Sequence, residues 1–143
     1  MNVISKIFVI EAEIIELISD MEDLITERIE EGVFNKEDFK RLKNLCEDIK
    51  KKNKNIKKKI KKLDKNRDRT YLLNMIEERD NILSDTINAA KNNSSKEVYE
   101  NLMKLPDSMD KFGKYLGRII QSLQNEIFLE LNNNLKNFLR IKY

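Results

Sequence analysis

Val3, Ile7, Ile10, Ile14, Leu17, Met21 and Leu24 recur at alternating spacings of four and three residues. That is the period of a helix burying one seam against its neighbours. Phe8, Ile15, Ile18 and Ile25 widen the seam beyond what a two-stranded coiled coil uses, so this helix is expected to touch two others and to run to about Glu31. The alternation returns in Phe39, Leu42, Cys46, Ile49, Ile56, Ile60 and Leu63, with Asn53 in the vacant seam place. A polar residue there sets register at some cost in stability. Tyr71, Leu72, Leu73, Ile76, Leu83, Ile87 and Ala90 carry a third helical stripe, and a last one runs through Val98, Leu102, Leu105, Met109, Phe112, Leu116, Ile119, Leu123, Ile127, Leu131, Leu135 and Phe138. Three glycines and one proline in 143 residues leave few places to break these helices, and no stretch alternates as a strand would. The expected fold is all-α: an antiparallel bundle of three long helices plus a C-terminal helix kinked near Pro106, in one domain over residues 1–143.

The breaks have local signals. Gly32 can end the first helix in the left-handed conformation, and Asn35 can cap the second with Asp38 in its first turn. Residues 64–69 form a polar break or kink, and Asn92-Asn93-Ser94-Ser95 is the clearest loop. Ser94 with Glu97 spells a capping box. Pro106 removes a helical hydrogen bond and should kink or restart the last helix.

Composition excludes much chemistry. Without histidine there is no His-based triad, His metal site or Glu-x-x-His motif. The single Cys46 lies on an apolar seam with no histidine to activate it, and reads as buried filler. The adjacent acids Glu22-Asp23, Glu30-Glu31 and Glu77-Glu78 point about 100° apart on a helix and do not converge as an acid/base pair must. Glu13 with Glu16, or Glu27 with Glu30 and Glu31, could share a face, but as solvated acidic surface. No catalytic residue, metal, cofactor or small-molecule substrate is indicated. No apolar run approaches 18 residues, and Glu11, Glu13 and Glu16 follow the first apolar patch directly, unlike a signal peptide. A cytoplasmic location is expected. Gly113 and Gly117 are spaced to let a neighbour or partner pack closely near Leu116.

Two surfaces remain as binding candidates. Residues 1–40 hold eleven acids against four bases, a net of −7; residues 50–69 hold twelve bases against two acids, a net of +10. Lys50, Lys51, Lys54, Lys57, Lys58, Lys61, Lys62, Lys65, Arg67 and Arg69 could bind a polyanion, either nucleic acid or an anionic membrane surface. No aromatic residues interleave them, so base stacking is not indicated. The alternative is a solvated face, partly neutralised by the acidic first helix. The second surface is the end of the last helix, which is apolar on more than one side. It is either a fully buried fourth helix or a site for a protein partner or for self-association, through Leu123, Ile127, Leu131, Leu135 and Phe138.

The order of these features resembles the FlgN family of flagellar export chaperones, small helical proteins of about this length. The resemblance spans roughly Ile4 to Leu139 and rests on EEGVFNKEDFKRL at the first break, LDKNRDRTYLL at the second, and the asparagine-containing LQNEIFLELNNNLKNFL at the end. It implies binding of late export substrates through an amphipathic C-terminal helix, which places client binding on Leu123, Ile127, Leu131, Leu135 and Phe138. Two further stretches resemble other helical modules. NKEDFKRLKNLCEDIKKKNKNIKKKIKKL is similar to the second helix of a syntaxin-type N-terminal three-helix bundle, and FVIEAEIIELISDMEDL to the opening helix of some BAR domains.

Overall fold

The computed structural model describes residues 2–28 and 31–142. The five helices among them are α1 (Val3–Arg28), α2 (Lys36–Ile60), α3 (Arg67–Lys91), α4 (Ser95–Leu102) and α5 (Leu105–Lys142). No strand occurs among the described residues. The three long helices α1, α2 and α3 pack antiparallel, with α2 between its two sequence neighbours. α4 and the first part of α5 return onto α3. The heptad residues form the core: Ile7, Ile14, Leu42, Cys46, Ile49, Ile56, Ile60, Leu72, Ile76 and Leu83 are completely buried. Among the described residues no helix is long and apolar enough to cross a membrane.

Each break is made by residues suited to it. Gly32 takes φ +77°, and its N–H donates to the Arg28 carbonyl at 3.0 Å. Glu31 lies in this turn, so the described helix stops at Arg28, short of the expected Glu31; residues 29–30 lie outside the described part. Asn35 and Asp38 form a reciprocal capping box, each side chain accepting from the other's backbone N–H at 2.9 Å. Phe34, just before the cap, packs edge-on to Phe39 with ring centroids 5.9 Å apart, the apolar staple that accompanies such boxes. Asn66 caps α3 by accepting from the Arg69 N–H at 3.1 Å. Asn93 ends α3 at φ +55°, a conformation asparagine tolerates, and Ser94 Oγ accepts from the Glu97 N–H at 3.3 Å. The last segment restarts rather than bending smoothly. α4 ends at Leu102, Met103 and Lys104 turn, and Pro106 falls in the first turn of α5, where a missing N–H costs nothing.

Arg28 Nε donates to Asp38 Oδ2 at 2.7 Å, tying the end of α1 to the start of α2. Burial pushes the Asp38 carboxyl up, but Arg28 and the Asn35 N–H outweigh it and hold its pKa below the usual value. Because the folded pKa lies below the unfolded value of about 3.9, the stability this carboxylate adds is complete above about pH 4 and is lost as pH falls through the folded value. Asp38→Asn is expected to cost about 1–2 kcal/mol at pH 7. The difference between wild type and variant should shrink in urea melts as the pH is lowered from 7 through the folded value. An equal cost throughout would show that charge plays no part in this turn.

Candidate functional site

The most elaborate polar arrangement is in the core. Arg79 on α3 is fully buried and grips Glu11 of α1 with two parallel hydrogen bonds of 2.7 and 2.6 Å. It also donates to Asn53 Oδ1 on α2 at 3.1 Å, and Asn53 Nδ2 donates to Asp80 at 2.9 Å. The Phe112 ring of α5 lies 5.0 Å from the guanidinium carbon. Four helices therefore meet at one arginine. Among the described residues its Nε is the one buried side-chain nitrogen or oxygen without a hydrogen-bond partner. A planar fork can hold a carboxylate in this way, whereas a lysine could not. Asn53 was legible as a polar seam residue, but Glu11 and Arg79 were not read from the sequence. The available signal was the gap in the third stripe between Ile76 and Leu83, where Arg79 fills the missing seam step.

The lysine-rich segment spans the end of α2, the turn and the start of α3. Its neutralisation differs from the expectation, because α3 supplies more of it than the acidic first helix. Lys57 Nζ reaches Glu77 at 2.7 Å and Asp80 at 2.6 Å, and Lys50 donates to Ser84 at 2.7 Å. Only Lys52, by pairing with Glu13 at 2.7 Å, links the run to α1 among the described residues. Burial alone would lower the Lys57 pKa, but its two carboxylate partners raise it on balance. Arg67 stacks over Tyr71, 5.5 Å from the ring centre. Arg69 is half-buried. Lys51, Lys54, Lys58, Lys61, Lys62 and Lys65 are exposed, and among the described residues no ion pair engages them. The binding candidates in this run thus separate into two that are committed to α3, Lys50 and Lys57, and a cluster of six lysines facing solvent.

The last helix divides sharply. Leu105, Phe112 and Leu116 are buried on the bundle, and Ile119 and Ile120 are half-buried. From Gln121 to Arg140 every side chain is exposed except the half-buried Asn132. Leu123, Ile127, Leu131, Leu135 and Phe138, with Phe128, Leu129 and Leu139 beside them, keep 40–65% of their surface in solvent. The fully buried fourth helix is therefore excluded. The apolar stripe continues past residue 120, but the bundle does not. Residues 121–142 extend for about 33 Å at 1.5 Å per residue.

The remaining candidates resolve structurally. Cys46 is completely buried, 3.8 Å from the Met21 sulfur, and burial pushes its thiol up to about 12, which suits filler. No group of three or more potential metal ligands occurs among the described residues. Glu27 and Glu31 are exposed; Glu30 lies outside the described residues. The Gly113 and Gly117 spacing meets no close neighbour among the described residues: an added Cβ at either would meet nothing within 4 Å. One feature the sequence did not suggest is an apolar groove of about 410 Å³ beside the α1–α2 turn, lined by Ile25, Val33, Phe34 and Tyr99. It continues along α4 past Leu102 and Met103 as a second depression of about 300 Å³. It exists because α4 is short and leaves the end of α1 partly uncovered.

No family model, curated protein or solved structure matches the chain. The class defined by the fold and its surfaces is an all-α bundle with an extended C-terminal helix.

Proposed function

We propose that this chain is a non-catalytic protein-binding bundle that engages a partner through the distal part of α5, the mode of the export chaperones it resembles. One observation carries the reading: beyond Ile120 the helix keeps a continuous apolar face in water. An isolated helix of this length is marginal in water, and helical stability normally comes from packing an apolar face. A large apolar surface outside the core marks an interaction site. An amphipathic helix meets partners by laying that face into a groove or against another helix. Leu123, Ile127, Leu131, Leu135 and Phe138 form the contact surface, while the bundle acts as the mount.

Leu131→Asp tests this, since Leu131 is 62% exposed and touches no core. Tagged wild type and variant would be used to capture proteins from native lysate with nuclease, at about 0.15 M and about 0.5 M salt, conditions that separate charge contacts from apolar ones. The expected result is a discrete protein retained at high salt by wild type and lost by the variant, with unchanged circular dichroism and a stability change within about 0.5 kcal/mol. A captured protein indifferent to Leu131→Asp would sink the reading.

The six unpaired lysines between Lys51 and Lys65 favour a second reading, a polyanion-binding face. Capture lost with salt or nuclease, and insensitive to Leu131→Asp, would select it.

A further inference from the structure

The projecting part of α5 is a palindrome in chemical character, centred on Asn133. Leu131 and Leu135 stand two residues either side of it, Phe128 and Phe138 five, and Ile127 and Leu139 six. Glu130 and Lys136 stand three residues either side, and Glu126 and Arg140 seven. These six apolar residues mirror one another and the acids mirror bases; Leu129 and Ile141 are the exceptions, mirrored by Asn137 and Asn125. At 100° per residue, the six apolar side chains all fall within about 60° of the face opposite Asn133, and the four charged ones within about 60° of Asn133 itself. One face thus holds the six mirrored apolar residues, and the other carries the charge together with Leu129.

We propose that the partner of this helix is a second copy of the same chain, paired antiparallel about a two-fold axis at Asn133. The proposal rests on the protein-binding reading above and names its partner. In this register every residue stands level with its mirror residue on the other copy. Phe128, Leu131, Leu135 and Phe138 follow the 3-4-3 spacing of a coiled-coil seam, so the layers are Phe128 on Phe138 and Leu131 on Leu135, each occurring twice. Ile127 and Leu139 flank the seam.

Helix dipoles favour the antiparallel orientation, and only that orientation sets each seam residue level with its mirror. Glu126, Glu130, Lys136 and Arg140 lie on the outer face, away from the seam, so the choice falls to the seam and the dipoles. The available area also suits a stable pair. Twelve apolar side chains, now 45–65% exposed, would be covered. Four aromatic rings supply several hundred Å², and eight aliphatic side chains bring the total towards the roughly 1,200 Å² at which specific interfaces begin. The register also keeps the bundles apart. Lys142, where the described helix ends, falls level with Gln124 of the second copy, and packing on the bundle ends at Ile120. Two bundles therefore sit at opposite ends of one shared rod.

Sedimentation equilibrium of the full chain measures the pairing. The expected mass rises from 17.0 kDa to about 34 kDa with concentration, the step to a two-fold dimer, and Leu131→Asp stays at the lower value with its circular dichroism intact. Orientation is read from Leu131→Cys and Leu135→Cys, oxidised separately and as a mixture. In the antiparallel register residue 131 faces residue 135, so only the mixture forms a disulfide-linked dimer. Two copies of Leu131→Cys would hold their cysteines about 6 Å apart along the axis in addition to the helix separation of about 8–10 Å, beyond disulfide reach. The native Cys46 is fully buried and does not interfere. Cross-linking of either variant by itself would overturn the antiparallel register. A mass of 17.0 kDa at every concentration up to about 0.5 mM would overturn self-pairing. If that monomer still lost a captured protein on Leu131→Asp, the protein-binding reading would stand without the dimer; if it lost none, both would fall.

Discussion

Arg79→Ala is expected to destabilise the bundle by about 3–5 kcal/mol. The substitution removes two hydrogen bonds to Glu11 and one to Asn53, and strands the Glu11 carboxylate at 5% exposure with no cation beside it. The cost of a lone buried charge dominates over the loss of packing on Phe112. For a chain of this size that loss lowers the melting temperature by about 10 °C or more. Glu11→Leu leaves the opposite charge stranded and should cost a similar amount. The pair Glu11→Leu with Arg79→Met restores most of the stability or exceeds wild type, because apolar groups of like volume replace a desolvated ion pair well. Asn53 keeps its bond to Asp80 in that background. Urea melts of the four proteins form a double-mutant cycle. A cost below about 1 kcal/mol for Arg79→Ala would show that the pair does not hold the fold together. If the network sets helix register, as a single polar seam residue does in coiled coils, the double variant will be stable but will give broadened side-chain resonances.

Phe112→Ala should cost about 3–5 kcal/mol as well, by a different route. Its ring is completely buried, covers the Arg79 guanidinium and fastens the first part of α5 to α3. Truncation leaves a cavity beside a charged group, and a cavity there cannot collapse without moving the Arg79 fork. The helix that carries Phe112 also carries Leu131, whose substitution is expected to leave stability almost unchanged. Chemical denaturation of both variants reads the contrast directly. Comparable costs at both positions would mean that the distal helix supports the bundle, and would remove the basis for treating it as a binding surface.

The two substitutions mark what was legible in the sequence and what was not. Helix existence, the Asn35–Asp38 cap, the Gly32 turn and the restart at Pro106 depend on residues three or four positions apart, so spacing alone reveals them. Asn53 was visible as an exception within a regular seam. Its partners were not, because Glu11 and Arg79 are 68 positions apart and meet only when α1 and α3 stand at the same level. The partial neutralisation of the lysine run by α1 holds at Lys52, but the share taken by α3 was hidden for the same reason: Lys57 turns to Glu77 and Asp80 because α3 packs on that side of α2. Gly113 and Gly117 meet no neighbour within the chain, because a spacing of small residues does not say which face of a helix meets another helix.

By itself the chain order determined an all-α protein with long amphipathic helices, their caps and an apolar C-terminal stripe, since short-range periodicity and hydrogen-bond geometry are written residue by residue. Only the tertiary structure decided where the bundle stops. The apolar stripe of the last helix runs from Leu105 to Phe138, yet the bundle covers it only to Ile120. A hydrophobic pattern records that a face must be buried; what buries it depends on the length and placement of the neighbouring helices.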